Sequence, residues 1–460
     1  MQVGEHRKDQ YKIGERYIVQ ADVYYKGANV SYGYALDGGM SQYGVVGKEV
    51  LDGDEGSYLI PIEDDTGYVE SALVEPWACV VAAYEYANYR DGILDDGAAL
   101  IYFTGTRVEE EDIEQLFTPG HKPAVVETIA DLASADLEEL VRGRTGGKGF
   151  DDILVFGAPS ANDIEKLSGA LARHGVMNLA LSRPLEGPVT LDIGRIHYEQ
   201  RLYIGGVVSS PADAANAYFA NRRQDLKAGG TVWFIGAGGP MGQMHIQRAV
   251  MSAHPPKTIV VTDVSSERLA RITDRFGAVA SQQGIEIVLL NAQAPDYEAS
   301  LKQQAPFDDI VCLVPSADLV AQTAPYLGED GVYNIFAGVN RGVSAPLDLG
   351  TMLAKRQRYI GTSGSSIADL RHTLGLVESS KLSTNSSLAA IGGLDAFKNG
   401  IAAVKAGEFP GKTVIFPHIE DLPLLSLDEL KEKLPNVYAK LQDGKFWTKA
   451  AEEELLQEKL

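Results

Sequence analysis

Short apolar stretches broken by Gly, Asp and Asn turns dominate residues 10–75, and three of them, 16–21, 41–46 and 58–60, read as strands. From Ser71 the spacing becomes helical, with Ala72, Leu73, Pro76, Ala78, Cys79, Ala82 and Ala83 marking one buried face. Beyond Gly97 strand-like and helix-like segments alternate, the pattern of βαβ units and a parallel sheet. Helical segments return at residues 367–382 and 394–406, and a strand follows at 412–416. In the tail, residues 425–460, Leu430, Leu434, Tyr438 and Leu441 fall at helical spacings interrupted at Pro435 and near Gly444. This predicts a helical hairpin docked on the core rather than a partner-binding module.

The middle of the chain repeats itself. FDDILVFGAPSAND from Phe150, then Val176, Leu191-Asp192-Ile193-Gly194 and Tyr203-Ile204-Gly205, recur as FDDIVCLVPSAD from Phe307, then Val332, Leu347-Asp348-Leu349-Gly350 and Tyr359-Ile360-Gly361. One single-residue gap aligns the copies. Each reads as the second half of a dinucleotide-binding domain. Residues 99–103 match Thr231–Ile235 as a first strand, but Thr104-Gly105-Thr106-Arg107 follows the earlier one and a glycine cluster the later one. Residues 97–206 therefore read as a degenerate copy with a structural or interface role; binding of a different ligand is the alternative.

The glycine cluster, GGTVWFIGAGGPMG over residues 229–242, carries the clearest chemistry. A strand enters a corner where Gly236, Gly238 and Gly239 can take φ > 0 and let amides approach a pyrophosphate without a Cβ in the way. Gly242 stands where the following helix packs closely on the strand, with the helix N-terminus facing the phosphates. The spacing is one residue longer than G-x-G-x-x-G. A second strand at residues 258–262 ends in Asp263, about 20 residues on, where an acid can bind a ribose 2′-hydroxyl. A glycine-rich turn in some other α/β unit is the competing reading.

A length of 460 residues implies two or three domains, and 45% hydrophobic content describes an ordinary folded chain. The two cysteines, Cys79 and Cys312, lie in apolar runs, which excludes a disulfide framework and points to a reducing compartment. No apolar run is long enough to cross a bilayer and MQVGEHRKDQ lacks a signal-peptide core, so a cytoplasmic location is expected. A formal charge of −22 argues against nucleic-acid or anionic-membrane partners. It leaves room for an anionic small substrate held by a local basic pocket.

VGEHRKDQYKIGER (residues 3–16), LDGGMSQYGVV (36–46), ALVEPWACV (72–80), the glycine turn and TDVSSERL (262–269) together resemble the zinc-type medium-chain dehydrogenase/reductase family, within it the polyol and sugar-phosphate branch. The resemblance implies a chaperonin-10-like catalytic β-domain, here partial, joined to a Rossmann-type nucleotide-binding domain, with the active site in the cleft between them. The expected organisation is a partial catalytic domain at 1–90, the degenerate repeat at 91–206, an NAD(P)-binding domain at 207–365, a return to the catalytic domain at 366–417 and the helical tail at 418–460. Members of the zinc branch carry a catalytic-metal cysteine and a Gly-His-Glu motif upstream of the segment that here begins at Val3. Both would fall before Met1, and residues 21–43 hold no cysteine for a structural zinc lobe. His6 aligns with a surface turn.

Glu75 is the position matching the family's metal site, either as a ligand or one water away, and carboxylate oxygen suits Zn²⁺. Glu75 reads equally well as a favourable charge in the first turn of a helix with Pro76 beside it. One carboxylate cannot hold zinc alone. Cys79 reads as a small core residue rather than a thiolate ligand.

The expected activity is nicotinamide-dependent interconversion of a secondary alcohol and a ketone on a polyol, sugar or sugar phosphate. Gly236, Gly238, Gly239 and Gly242 bind the pyrophosphate in this reading, and Asp263 the adenosine ribose. Its charge favours NAD over NADP, although Arg268 can compensate. By the resemblance, residues 337–341, with Gly338, contact the nicotinamide half; Arg341 reads equally as a solvated loop charge. Zinc is expected only with an incomplete ligand set, so the chain is expected to bind NAD and oxidise polyols poorly. A homo-oligomer is expected. The alternatives are a zinc-independent enzyme resembling quinone reductases and a non-catalytic nucleotide-binding protein.

Overall fold

The computed structural model describes residues 2–84, 92–104, 122–208, 213–214, 217–218, 223, 225–362 and 364–460. Contacts divide the chain into two units, one formed by Met1–Ala82, Gly238–His245 and Gly364–Leu460, the other by Ala83–Ala237 and Ile246–Ser363.

The first unit opens with short antiparallel pairs. β1 (Arg16–Val19), β2 (Tyr24–Tyr25), β3 (Ala28–Asn29) and β4 (Leu59–Ile62) pair as β1 with β4, in register Arg16 to Ile62, and β2 with β3. No strand forms at 41–46, against the sequence expectation. Tyr43 and Val45 are 85% and 91% exposed, and Tyr43 meets only the edge of the His418 ring among the described rings, at 5.6 Å; their alternation satisfies a strand pattern, but the face they share stands largely in solvent. The helices Tyr68–Ala72 and Val74–Ala82 follow. Val74 and Ala78 join Val23, Tyr58, Ile60, Leu370 and Leu374 in one apolar core, whereas Ala72, expected on the buried face, is exposed at the end of the first helix.

The second unit holds both repeats. The earlier copy supplies β5 (Ala98–Thr104), β6 (Val125–Ile129), β7 (Phe150–Gly157), β8 (Leu171–Leu181), β9 (Val189–Asp192) and β10 (Leu202–Val207). The later copy supplies β11 (Thr231–Ile235), β12 (Thr258–Asp263), β13 (Glu286–Asn291), β14 (Phe307–Cys312), β15 (Leu327–Ile335), β16 (Ser344–Leu347) and β17 (Arg358–Gly361). The later sheet is parallel, in order β13-β12-β11-β14-β15-β17. Counted within the copy, with β16 standing outside the sheet, this is 3-2-1-4-5-6, the Rossmann order. The earlier sheet, β10-β8-β7-β5-β6, is also parallel and is the same arrangement without its third strand among the described residues. Central strands such as TVWFI in β11 are apolar on both faces because both faces are covered.

Backbone conformation confirms the equivalence. His174 and Asp330 are left-handed at φ 59° and 55°, and Gln200 and Arg356 both at φ 53°; each pair is separated by the same 156 residues (174 to 330, 200 to 356). Asp151 accepts the amide of Ala98 at 2.8 Å as Asp308 accepts that of Thr231 at 2.9 Å. The first strands therefore correspond one residue earlier than the sequence suggested, Ala98 with Thr231. Phe103 then stands where the later copy has Gly236, and β5 runs on to Thr104, pairing Phe103 with Phe156. Residues 105–107 lie outside the described residues.

β9 and β16, equivalent strands of the two copies, leave their sheets and pair antiparallel with each other, Asp192 with Ser344 and Val189 with Leu347. The helix Ile193–Glu199 after β9 packs on β17, and the helix Leu349–Ala354 after β16 packs on β10. The chain returns to the first unit with β18 (Leu388–Gly393), β19 (Lys412–Phe416) and β20 (Leu425–Ser426) in one small sheet. The tail forms the helices Leu430–Lys433, Pro435–Tyr438 and Lys449–Lys459, with Pro435 opening a helix and Gly444 at φ 66° in the turn before the last. Buried Glu452 of the last helix accepts the amides of Tyr68 and Val69 at 2.6 and 2.7 Å, which docks the tail within its unit.

Candidate functional site

β11 ends in the glycine turn. Gly236 is left-handed at φ 72°, and a Cβ there would lie 2.3 Å from Val314 Cγ2, so the corner requires glycine twice over. The amides of Gly236 and Ala237 both donate to the Thr262 carbonyl, at 2.8 and 3.2 Å. This ladder sets the turn beside the end of β12, and the next residue is Asp263. Asp263 is 6% exposed, and one of its oxygens accepts the Ser265 amide at 3.0 Å. The structure thus joins Gly236 and Asp263 at the carboxyl edge of the sheet, beside β14, where the strand order reverses and dinucleotides bind in such folds.

The helix Pro240–Val250 follows. Gly239 supplies the carbonyl for the first helical bond, from Gln243 at 3.0 Å, and the space around its missing Cβ is open. Pro240 has no N–H, so Met241 and Gly242 supply first-turn amides without a partner in the helix ladder, the donors an anion would take. Gly238 precedes them, its carbonyl accepting from the Gln243 side chain at 3.3 Å.

Residues 337–341 follow β15 in the same unit. The amides of Phe336 and Ala337 donate to Cys312 at the end of β14, at 3.1 and 3.0 Å. A Cβ on Gly338 would stand 2.5 Å from Tyr198 Oη. Arg341, expected as a solvated charge or a cofactor contact, pairs with Glu199 at 3.2 Å and covers the Tyr198 ring at 4.8 Å.

Glu75 lies in the first unit, second in the helix Val74–Ala82, as its first-turn acid. Cys79, one turn on, donates to its Oε1 at 3.7 Å and is half-buried. Burial pushes the Glu75 carboxyl above its usual range, while the Lys412 ammonium draws it back. Burial also lowers Lys412, opposed by Glu75 and Cys79, and its Nζ lies 3.2 Å from Met241 Sδ. Cys79 is pushed up to about 12, by burial first and then by the Glu75 charge. Sequence reasoning missed Lys412. The available signal was a lysine heading the apolar strand KTVIF. His6 is exposed in a single turn, Glu5–Arg7.

Among the described residues, no three His, Cys, Asp or Glu side chains come together to hold a metal ion. Glu75 and Cys79 offer two donors beside a lysine. That set does not fit a zinc centre, which takes three or four protein ligands.

No protein-family model matches the chain. It is 30% identical to mannitol-1-phosphate 5-dehydrogenase of Aliivibrio fischeri over 248 residues, half of this chain and 57% of that one. It is 28% identical to L-sorbose 1-phosphate reductase of Klebsiella pneumoniae over 177 residues, 38% of this chain and 43% of that one. The chain therefore spans about half the length of the curated relatives it matches. A solved thermostable alcohol dehydrogenase from Pyrobaculum aerophilum shares 21% identity over 42% of this chain and 52% of its own, with a TM-score of 0.32. The chain is thus similar over part of its length to proteins named mannitol-1-phosphate 5-dehydrogenase and L-sorbose 1-phosphate reductase.

Proposed function

We propose that the chain binds a nicotinamide dinucleotide and serves an oxidoreductase that interconverts a secondary alcohol and a ketone on a polyol, sugar or sugar phosphate. The observation that carries this reading is the glycine corner at Gly236 set beside Asp263 at the reversal point of a 3-2-1-4-5-6 sheet. The relatives act, by their names, on mannitol 1-phosphate and L-sorbose 1-phosphate, which supports a six-carbon sugar or polyol phosphate as substrate.

In this reading the Met241 and Gly242 amides take the pyrophosphate, with Gly238 and Gly239 leaving room for it. The Asp263 carboxylate accepts the ribose hydroxyls and repels a 2′-phosphate, favouring NAD over NADP. Gly338 supplies backbone to the nicotinamide half. The dinucleotide, when bound, gives or takes the hydride. Glu75 is the carboxylate we assign to the alcohol side, with the Lys412 ammonium balancing its charge. A reducing, cytoplasmic setting agrees with two cysteines that form no disulfide, and no helix among the described residues is long and apolar enough to cross a membrane.

Titration calorimetry with NADH and NADPH tests the reading. Saturable binding of one NADH per chain is expected, because the earlier copy has Phe103 in place of the glycine corner. Binding of neither nucleotide overturns it. Turnover of hexitol and ketose phosphates, compared with their unphosphorylated forms, then fixes the substrate class.

A further inference from the structure

The two copies meet as the subunits of a two-fold dimer meet, each giving the other what it receives. β9 pairs with its own equivalent, β16. A Cβ on Gly194, at the start of one helix, would lie 2.2 Å from the Asn340 carbonyl of the other copy. A Cβ on Gly350, its equivalent, would lie 2.8 Å from the Leu185 carbonyl of the first. Asn178 and Asn334, again equivalent, donate to Ala214 at 2.8 Å and Ala83 at 3.4 Å, residues of the segments that lead into the opposite copies.

At this seam the symmetry breaks in the helices that follow β9 and β16. The earlier copy carries His197, Tyr198 and Glu199 where the later copy has Leu353, Ala354 and Lys355. All three polar residues engage the chain around residues 337–341, which belongs to the copy with the glycine turn. His197 is buried and held below its usual pKa by that burial; its Nδ1 donates to the Ile335 carbonyl at 2.8 Å, which fixes a proton on that nitrogen. Tyr198 fills the space that a side chain at Gly338 would need, and Glu199 pairs with Arg341. The Gly342 amide donates to Asp192 at 2.8 Å, and the Ile193 amide to the Val343 carbonyl at 3.0 Å. The loop is fixed from across the pseudo-symmetric seam.

We propose that the copy without a glycine turn is a built-in second subunit, whose residues 192–199 hold the loop 337–341 in the position that receives the nicotinamide half. Tyr198 is a positioning residue in this account. The proposal explains why a copy that lost its phosphate corner keeps its sheet: the work left to it lies at the seam. It rests on the nucleotide reading for the ligand, while the holding of the loop is independent of any ligand.

Tyr198→Ala and Tyr198→Phe in the full chain test it with two ligands. NADH reaches both halves of the site and ADP only the adenine half. Tyr198→Ala is expected to weaken NADH about tenfold, equivalent to ~1.4 kcal/mol, and to leave ADP unchanged. Tyr198→Phe keeps the ring under Arg341 and is expected to bind both as the parent does. Equal weakening of both ligands, or no weakening in a parent that binds NADH, overturns the proposal. Amide exchange at residues 338–343 without nucleotide reads the holding directly. It is expected to rise in Tyr198→Ala, and unchanged exchange overturns the proposal whatever the nucleotides do. A parent that binds neither nucleotide but shows the exchange change defeats the function reading and leaves the built-in subunit standing.

Discussion

Asp152 and Asp309 hold the same post in the two copies with different partners. Each accepts the amide of the residue four positions before its first strand, Leu94 at 3.0 Å and Lys227 at 2.9 Å. Asp152 receives the Tyr218 hydroxyl at 2.9 Å, whereas Asp309 is paired with the Arg223 guanidinium at 2.6 Å. Burial nevertheless pushes Asp309 up to about 6, from 3.8, against the pull of Arg223. The folded chain then holds this proton more tightly than the unfolded chain does. The contribution of Asp309 to the unfolding free energy therefore falls as pH rises between 3.8 and about 6, with the cost complete above that window. Asp309→Asn removes the group, so the difference in stability between parent and variant should change across that window and be flat above it. Urea unfolding at a series of pH values measures this, and a difference independent of pH would refute it.

Asp263 is the acid expected to choose between the two nicotinamide cofactors. Losing a hydrogen bond to a charged group costs about 1.5–3 kcal/mol, so Asp263→Ser should weaken NADH roughly tenfold or more. Removing the charge also relieves repulsion of a 2′-phosphate, so NADPH should bind better relative to NADH. Calorimetry with both cofactors reports the ratio, and an unchanged ratio shows that Asp263 does not touch the ribose.

The parallel sheets were legible because strands covered on both faces leave continuous apolar runs, and the repeat was legible because its second half retains FDDI, LDIG or LDLG, and YIG. The one-residue shift of β5 was not, since it is set by the contact between Asp151 and the Ala98 amide, made across more than fifty residues. The false strand at 41–46 has the right alternation, and alternation carries no information about whether a neighbour exists. Gly236 and Asp263 stood out through spacing. Lys412 did not, because it reaches Glu75 only through the fold of the first unit, and Tyr198 did not, because its meaning depends on the seam between copies.

Glu452 tests whether the tail is part of the first unit's core. Its carboxylate takes two amides at the start of the helix Tyr68–Ala72, where a negative charge is favoured. Glu452→Ala leaves both donors without this acceptor and should cost about 1–3 kcal/mol. The neighbouring exposed Glu453→Ala should change stability by no more than about 0.5 kcal/mol. Matching urea midpoints for the two variants would show that the contact contributes nothing.

The coupling of Glu75 to Cys79 can be read by alkylation. Burial and the Glu75 carboxylate together hold the Cys79 thiol near 12, so almost none of it is thiolate at pH 8.5. Glu75→Gln removes the charge and keeps the shape, which should lower the Cys79 pKa and raise its iodoacetamide rate roughly severalfold as the thiolate fraction grows. Cys312 serves as the control, being fully buried and also pushed up by burial, with no contribution from Glu75. Faster labelling at Cys79 alone, mapped by peptide mass, is the expected result. Parallel labelling of Cys312 would mean that the variant has loosened the fold. An unchanged Cys79 rate would mean that the carboxylate does not face the thiol.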